Sequence, residues 1–175
     1  MDKSLFLVHV KLLAFDLLSL AQSPTNPPTF SLDHRFSISR AEALGVVVSR
    51  EHKPGRFLKF AVDDGTGCVP CVLWLNHATS PYFARQRPQG VRQIAEVANG
   101  QASLVKLGSV ARVRGRITSY RGEVQITVSR VVVERDPNAE VLHWLDCLKL
   151  ARRVYGKPTT MRNTLHGLCP MDKMT

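Results

Sequence analysis

Acidic residues are scarce in this sequence. Fourteen Asp and Glu stand against 24 Lys and Arg in 175 residues, a formal charge of +10. That balance favours polyanionic partners, nucleic acid or an anionic membrane surface. Cysteine is also sparse, with four residues at positions 68, 71, 147 and 169. Their spacing does not suit the disulfide framework of a small secreted domain, and a reducing compartment is expected. A long unbroken apolar run is missing too. The stretch from Leu5 to Leu20 is interrupted by His9, Lys11 and Asp16, so it reads neither as a secretory signal nor as a membrane span. The expectation is an intracellular protein with no membrane partner. No GxSxG, P-loop or HExxH pattern occurs, which leaves no recognisable enzyme active site. No enzyme activity, cofactor or metal is expected, and no internal repeat is present.

What is there is enough for one domain with peripheral segments. The hydrophobic fraction of 44% with 22% charged residues belongs to a chain that buries a core. Ser23 to Thr29, with prolines at 24, 27 and 28, reads as a connector. A β-branched run from Leu44 to Arg50 then ends in the polar turn Glu51 to Gly55. In Arg56 to Asp63, Leu58, Phe60 and Val62 share one face of a period-two strand, the expected core face, and Phe57, Lys59 and Ala61 share the other. Asp63-Asp64-Gly65-Thr66-Gly67 is a tight turn leading into a third strand, Cys68 to Leu75.

Val91, Ile94, Ala95 and Ala98 sit at helical spacing, predicting a short helix over 91–98. Strands resume over Ser109–Ile117 and Glu123–Arg135, joined by a glycine-bearing connection at 118–122. The order β-β-β-α-β-β predicts a mostly β protein with flanking α: a five-stranded OB-fold barrel, a helix between strands 3 and 4, and a C-terminal helix. Asp136-Pro137-Asn138-Ala139-Glu140 is a good entry to that last helix, which Gly156 and Pro158 end. The expected organisation is an N-terminal extension packing on the barrel (1–40), the OB fold (41–135), a partner-binding helix (136–155) and a flexible tail (156–175).

Candidate functional residues follow from the strand faces. Alternation places Arg112, Arg114 and Arg116 on one face and Ala111, Val113 and Ile117 on the other. Side chains two residues apart on a strand are roughly 7 Å apart, close to the phosphate spacing of an extended strand. A solvated face that only keeps the protein soluble is the competing reading. Single-strand binders combine such a basic surface with rings on which bases stack. Phe57, Lys59, Trp74, Tyr120 and Arg121 therefore join the arginines as nucleic-acid-binding candidates, against the alternative that Trp74 and Phe57 are core rings.

Asp63 and Asp64 suit turn capping better than catalysis, since no third carboxylate or histidine stands nearby in sequence. Cys68-Val69-Pro70-Cys71 has CxxC spacing, but residues three apart on a strand face opposite ways and no second CxxC exists. Structural cysteines are expected. On the C-terminal helix, Val141, Leu142, Trp144, Leu145, Leu148 and Tyr155 form a wide apolar stripe. It is broad enough for a protein partner as well as the barrel, unless the barrel consumes it all.

The ordered set Val62-Asp63-Asp64-Gly65-Thr66-Gly67, Cys71 and Trp74, Val113-Arg114-Gly115, Tyr120-Arg121, Arg135-Asp136-Pro137-Asn138 and His143-Trp144 resembles the Stn-type small OB subunit of the CST telomere-capping complex. It is most similar to the short plant form, and His9 to Ala14 extends the likeness to about residues 5–155. The VDDGTG turn by itself also occurs in the middle subunit of replication protein A. The resemblance implies a nuclear, telomeric, single-stranded-DNA-binding accessory subunit. It implies pairing with a small Ten-type OB protein and a large Ctc-type subunit, protection of the G-rich overhang, and assistance to fill-in by DNA polymerase alpha-primase. Trp74 matches the family's motif tryptophan, Tyr120 and Arg121 its last hairpin, and residues 137–155 its partner-binding helix. Vertebrate and yeast members carry C-terminal winged-helix domains for which these 175 residues leave no room, so functions housed there are not expected. A scaffold that heterodimerises through the helix with little DNA binding of its own is the alternative.

Overall fold

The computed structural model describes residues 5, 7–32, 36–77, 79–81 and 88–155. The tail expected at 156–175 lies outside the described residues. Chain order begins with β1 (His9–Lys11), α1 (Ala14–Leu18), β2 (Ala21–Ser23), β3 (Thr29–Leu32) and β4 (Phe36–Ile38). The barrel strands follow as β5 (Arg40–Lys53), β6 (Phe57–Asp63) and β7 (Cys68–Trp74), then α2 (Pro88–Leu104), β8 (Val110–Tyr120) and β9 (Glu123–Val133). Helix α3 (Ala139–Leu150) runs into a wider π turn at Ala151–Tyr155.

One long strand closes the barrel. The first half of β5 pairs antiparallel with β8 and its second half with β6, with a bulge between Val47 and Ser49 where it bends. β6 pairs with β7, β7 runs parallel to β9 through Cys71 and Val72, and β9 returns antiparallel to β8. This is the five-stranded OB barrel that the strand order predicts. At Gly115 a Cβ would lie 2.1 Å from the Thr127 carbonyl oxygen, so only glycine permits β8 and β9 to approach this closely beside their bulge.

The interior faces are those of the period-two pattern. Leu58, Phe60 and Val62 are buried, as are Ala111, Val113 and Ile117, and Val124, Ile126 and Val128. From α2, Ala98 and Ala102 close one end of the barrel. The helix expected over 91–98 is longer at both ends, because small and polar residues between its apolar positions still favour helix.

The N-terminal region packs on the barrel and also holds one element that the sequence did not suggest. The interrupted run from Leu5 contributes Val10, Leu12, Leu13, Ala14 and Leu17 to the core, with β1 parallel to β5. The segment read as a connector is the turn of a second, three-stranded sheet, β2-β3-β4, whose Phe30 and Ile38 are fully buried. Short strands with few β-branched residues gave little periodic signal there.

Candidate nucleic-acid interface

The outer faces of β6 and β7 meet the β8–β9 hairpin in a patch of rings and cations. Phe57 and Trp74 are directly opposed across β6 and β7, with ring centroids 6.2 Å apart in an edge contact. Trp74 is 45% exposed, so it is not the core ring of the alternative reading. Phe57 is half-buried beneath it. The Lys59 ammonium lies 4.9 Å from the Phe57 centroid and 5.8 Å from that of Tyr120. Lys53, which the sequence reading assigned only to a polar turn, sits 5.3 Å from the Phe57 ring. Its register opposite Phe57 in the β5–β6 hairpin was the available signal.

Tyr120 is 54% exposed, and Arg121 lies over its ring with Cζ 5.3 Å from the centroid. The two-residue tip Arg121-Gly122 has positive φ at both positions, 54° and 85°, the geometry of a type I′ hairpin. Holding a non-glycine residue there strains the backbone and fixes Arg121 at the outermost point of the hairpin. Rings with cations beside them, on strands rather than loose loops, are the arrangement that single-strand binders use to stack bases and meet phosphates.

Part of the arginine row is paired with acids. Alternation does put Arg112, Arg114 and Arg116 on the outer face, but that face is not all solvent. β1 and α3 lie over it and bury Glu42, which is 1% exposed. Arg112 donates to Glu42 Oε1 at 2.8 Å and to Glu134 Oε1 at 2.6 Å, and Arg114 donates to Glu42 Oε2 at 2.5 Å. Burial opposes the Glu42 charge, but hydrogen bonds from Arg114 and Arg112 outweigh it and hold the carboxyl below its usual range. Arg112 and Arg114 line a small recess with Arg130, Val132 and Glu134 and pair with the barrel's own acids, while the Arg114 side chain stays 43% exposed. Arg116 remains exposed. A buried acid on a nominally outer face has no local sequence signal.

The C-terminal helix divides its faces in an unexpected way. Ala139, His143 and Cys147 are buried against the barrel, with His143 Nδ1 3.8 Å from Glu42. Val141, Leu142, Leu145 and Leu148 are exposed. Trp144 is the exception in the apolar stripe: its indole N–H donates to the Asp64 carbonyl oxygen at 3.0 Å. The π turn includes Tyr155, whose side chain is outside the described residues. Burial pushes the Cys147 thiol up to about 12 and raises that of Cys71 as well.

The acidic turn is a structural clamp. Asp64 accepts the Thr66 backbone N–H and hydroxyl on Oδ1 and the Ala14 N–H on Oδ2, while Asp63 accepts the Gly65 N–H. Cys68 is exposed and Cys71 buried, the opposite orientations that alternation predicts. Among the described residues no group of three or more His, Cys, Asp or Glu is placed to hold a metal ion. No described helix is long and apolar enough to cross a membrane.

A closed OB barrel with an exposed ring-and-cation face defines the class, an OB-fold nucleic-acid-binding protein, and the family model for the OB-fold nucleic acid binding domain matches residues 43–134. The chain is 54% identical over 155 residues to the CST complex subunit STN1 of Arabidopsis thaliana, covering 89% of this chain and 96% of that protein. It belongs to the family of STN1 subunits of the CST complex. The Homo sapiens CST complex subunit STN1 is 28% identical, matching 87% of this chain but 43% of that protein, so the chain spans less than half the length of this relative. Among solved structures, the fold matches a chain of the S. pombe Stn1–Ten1 complex with TM-score 0.60 at 20% identity, over 81% of this chain and 90% of that one. It matches a chain of a replication protein A heterotrimer bound to single-stranded DNA equally, at 0.60 and 18% identity, over 81% and 93%.

Proposed function

We propose that this protein is a single-stranded-DNA-binding subunit of a CST-type complex, acting at the G-rich overhang of telomeres in the nucleus. The observation that carries the DNA-binding part is the patch of Trp74, Phe57 and Tyr120 with Lys59 and Arg121 on the outer face of the barrel. Bases stack on the rings, and phosphates are met by Lys59, Arg121 and, further along β8, Arg116. Arg112 and Arg114 hold the barrel together and make no such contact in this proposal. The protein works by binding and not by turnover, and it needs no cofactor.

The exposed face of α3 supports a second role in assembly. Val141, Leu142, Leu145 and Leu148 present an apolar stripe of the kind that forms the core of a protein interface. The partner proposed for it is a small Ten-type OB protein, and the pair would join a large Ctc-type subunit and assist fill-in by DNA polymerase alpha-primase. In this reading residues 41–135 are the DNA-binding barrel, 1–40 an extension packed on it, and 136–155 the docking element.

Titration of the full-length chain with a G-rich single-stranded oligonucleotide at rising salt tests the proposal. The expected result is affinity that falls steeply with salt, as counterion release requires. Absence of binding at low salt, with the small OB partner still captured, would leave only the scaffold.

A further inference from the structure

A recess of about 750 Å³ opens beside Trp74 where β7 and β9 diverge under α2. Trp74 forms one wall, Val97 of α2 another, and Asn76, Gln93, Thr127 and Ser129 contribute amide and hydroxyl groups. Its volume lies within the roughly 300 to 1,000 Å³ typical of small-molecule sites. The walls are fixed: Gln101 of α2 accepts the Val131 backbone N–H of β9 at 3.0 Å. Beyond the C-terminal end of α2, Arg50 donates to the Val105 carbonyl oxygen at 2.9 Å.

The lining chemistry selects the occupant. None of the described lining residues is Asp, Glu, Lys or Arg, and His77, which also lines the recess, has its pKa lowered by burial, which favours the neutral ring, so the recess is not built for a phosphate or a charged side chain. Apolar walls with amides and hydroxyls suit a flat, uncharged ring system with a hydrogen-bonding edge. Trp74 is shared between this recess and the ring-and-cation patch, so a strand stacked on one side of the indole delivers its next residue to the other.

The geometry points to the recess as a pocket for one nucleobase of the bound single strand, adjacent to the base stacked on Trp74 and read at its edge by Asn76 and Gln93. This rests on the single-strand reading above and deepens it by giving a sequence-tolerant stacking platform one position that discriminates between bases.

The test uses the full-length chain and a single strand of about 12 nucleotides, within the usual reach of an OB fold, made abasic at each position in turn. Two neighbouring positions are expected to lose about tenfold in affinity, one through Trp74 and one through the recess. Val97→Trp fills the pocket from a side chain that is 60% exposed, so the fold is retained. It should abolish the second sensitivity and spare the first; Gln93→Ala should flatten base preference at the second position only. An abasic profile unchanged by Val97→Trp overturns the inference while leaving the DNA-binding reading intact. So does loss of a protein partner in that variant with an unchanged profile, which would make the recess a peptide groove. Failure of the wild-type chain to bind any strand overturns both.

Discussion

The indole N–H of Trp144 donates to the main-chain carbonyl of Asp64 at 3.0 Å, and this bond ties the C-terminal helix to the turn between β6 and β7. The Asp64 carboxylate holds the start of α1 through the Ala14 N–H at 2.7 Å. A single turn residue thus anchors both elements that flank the barrel. The DDGTG sequence is explained by this clamp as well as by its turn.

Removing only the donor tests the clamp. Trp144→Phe should cost about 1 kcal/mol, a fall in Tm of about 2 to 4 °C for a chain of this size, measured by thermal denaturation. The DNA affinity should not change, since Trp144 is remote from the ring patch in this account.

The Glu42 network makes stability depend on pH with a definite sign. The folded Glu42 carboxyl titrates below its ordinary 4.5, so its stabilisation is complete above that pH and is lost as pH falls through the folded value. His143 is also depressed from 6.5, by burial foremost and by Arg112 and Lys11, against the pull of Glu42. Its contribution is present above pH 6.5 and is lost on acidification. Tm should therefore fall in two stages, starting below 6.5 and again below 4.5, and His143→Asn should shrink the first, to which His9 and His77, both also depressed by burial, contribute as well. Glu42→Gln leaves Arg112 and Arg114 without their buried partner and should cost about 3 kcal/mol at neutral pH.

The arginines of β8 should separate into two kinds. Arg116→Ala should leave Tm unchanged and reduce the slope of log affinity against log salt by about 0.7, one phosphate on a single strand. Arg112→Ala should lower Tm and leave that slope alone. The reverse pattern would return Arg112 to the DNA surface.

Replacing Leu145 and Leu148 with lysine should release the small OB partner in co-purification. Both are about half exposed, so the isolated variant should melt like the wild type. Retained partner would place the interface elsewhere.

The barrel was legible because strand alternation is a strong signal when one face is buried: Leu58-Lys59-Phe60-Ala61-Val62 reads directly as in and out. The outward placement of Phe57 and Trp74 follows from the same alternation, but not how far each is exposed: Trp74 is open and Phe57 half-buried. Alternation separates faces but does not say what lies on them. Glu42 and Arg112 are outward by pattern yet covered in fact, because β1 and α3 arrive from distant parts of the sequence in a way no local period encodes. The helix shows the same limit: its stripe was readable, but which side the barrel covers was not, and the barrel took the face with His143 and Cys147 and left the leucines exposed.

DNA binding by this face turns on Trp74, and an affinity measurement on its variant is the most direct check. In Trp74→Ala, binding of a G-rich single strand should weaken by about tenfold or more, the value of a stacked base, while Tm stays within a degree or two of wild type. Unchanged affinity, or a collapse in Tm that accounts for the loss, would contradict the assignment of this face to DNA.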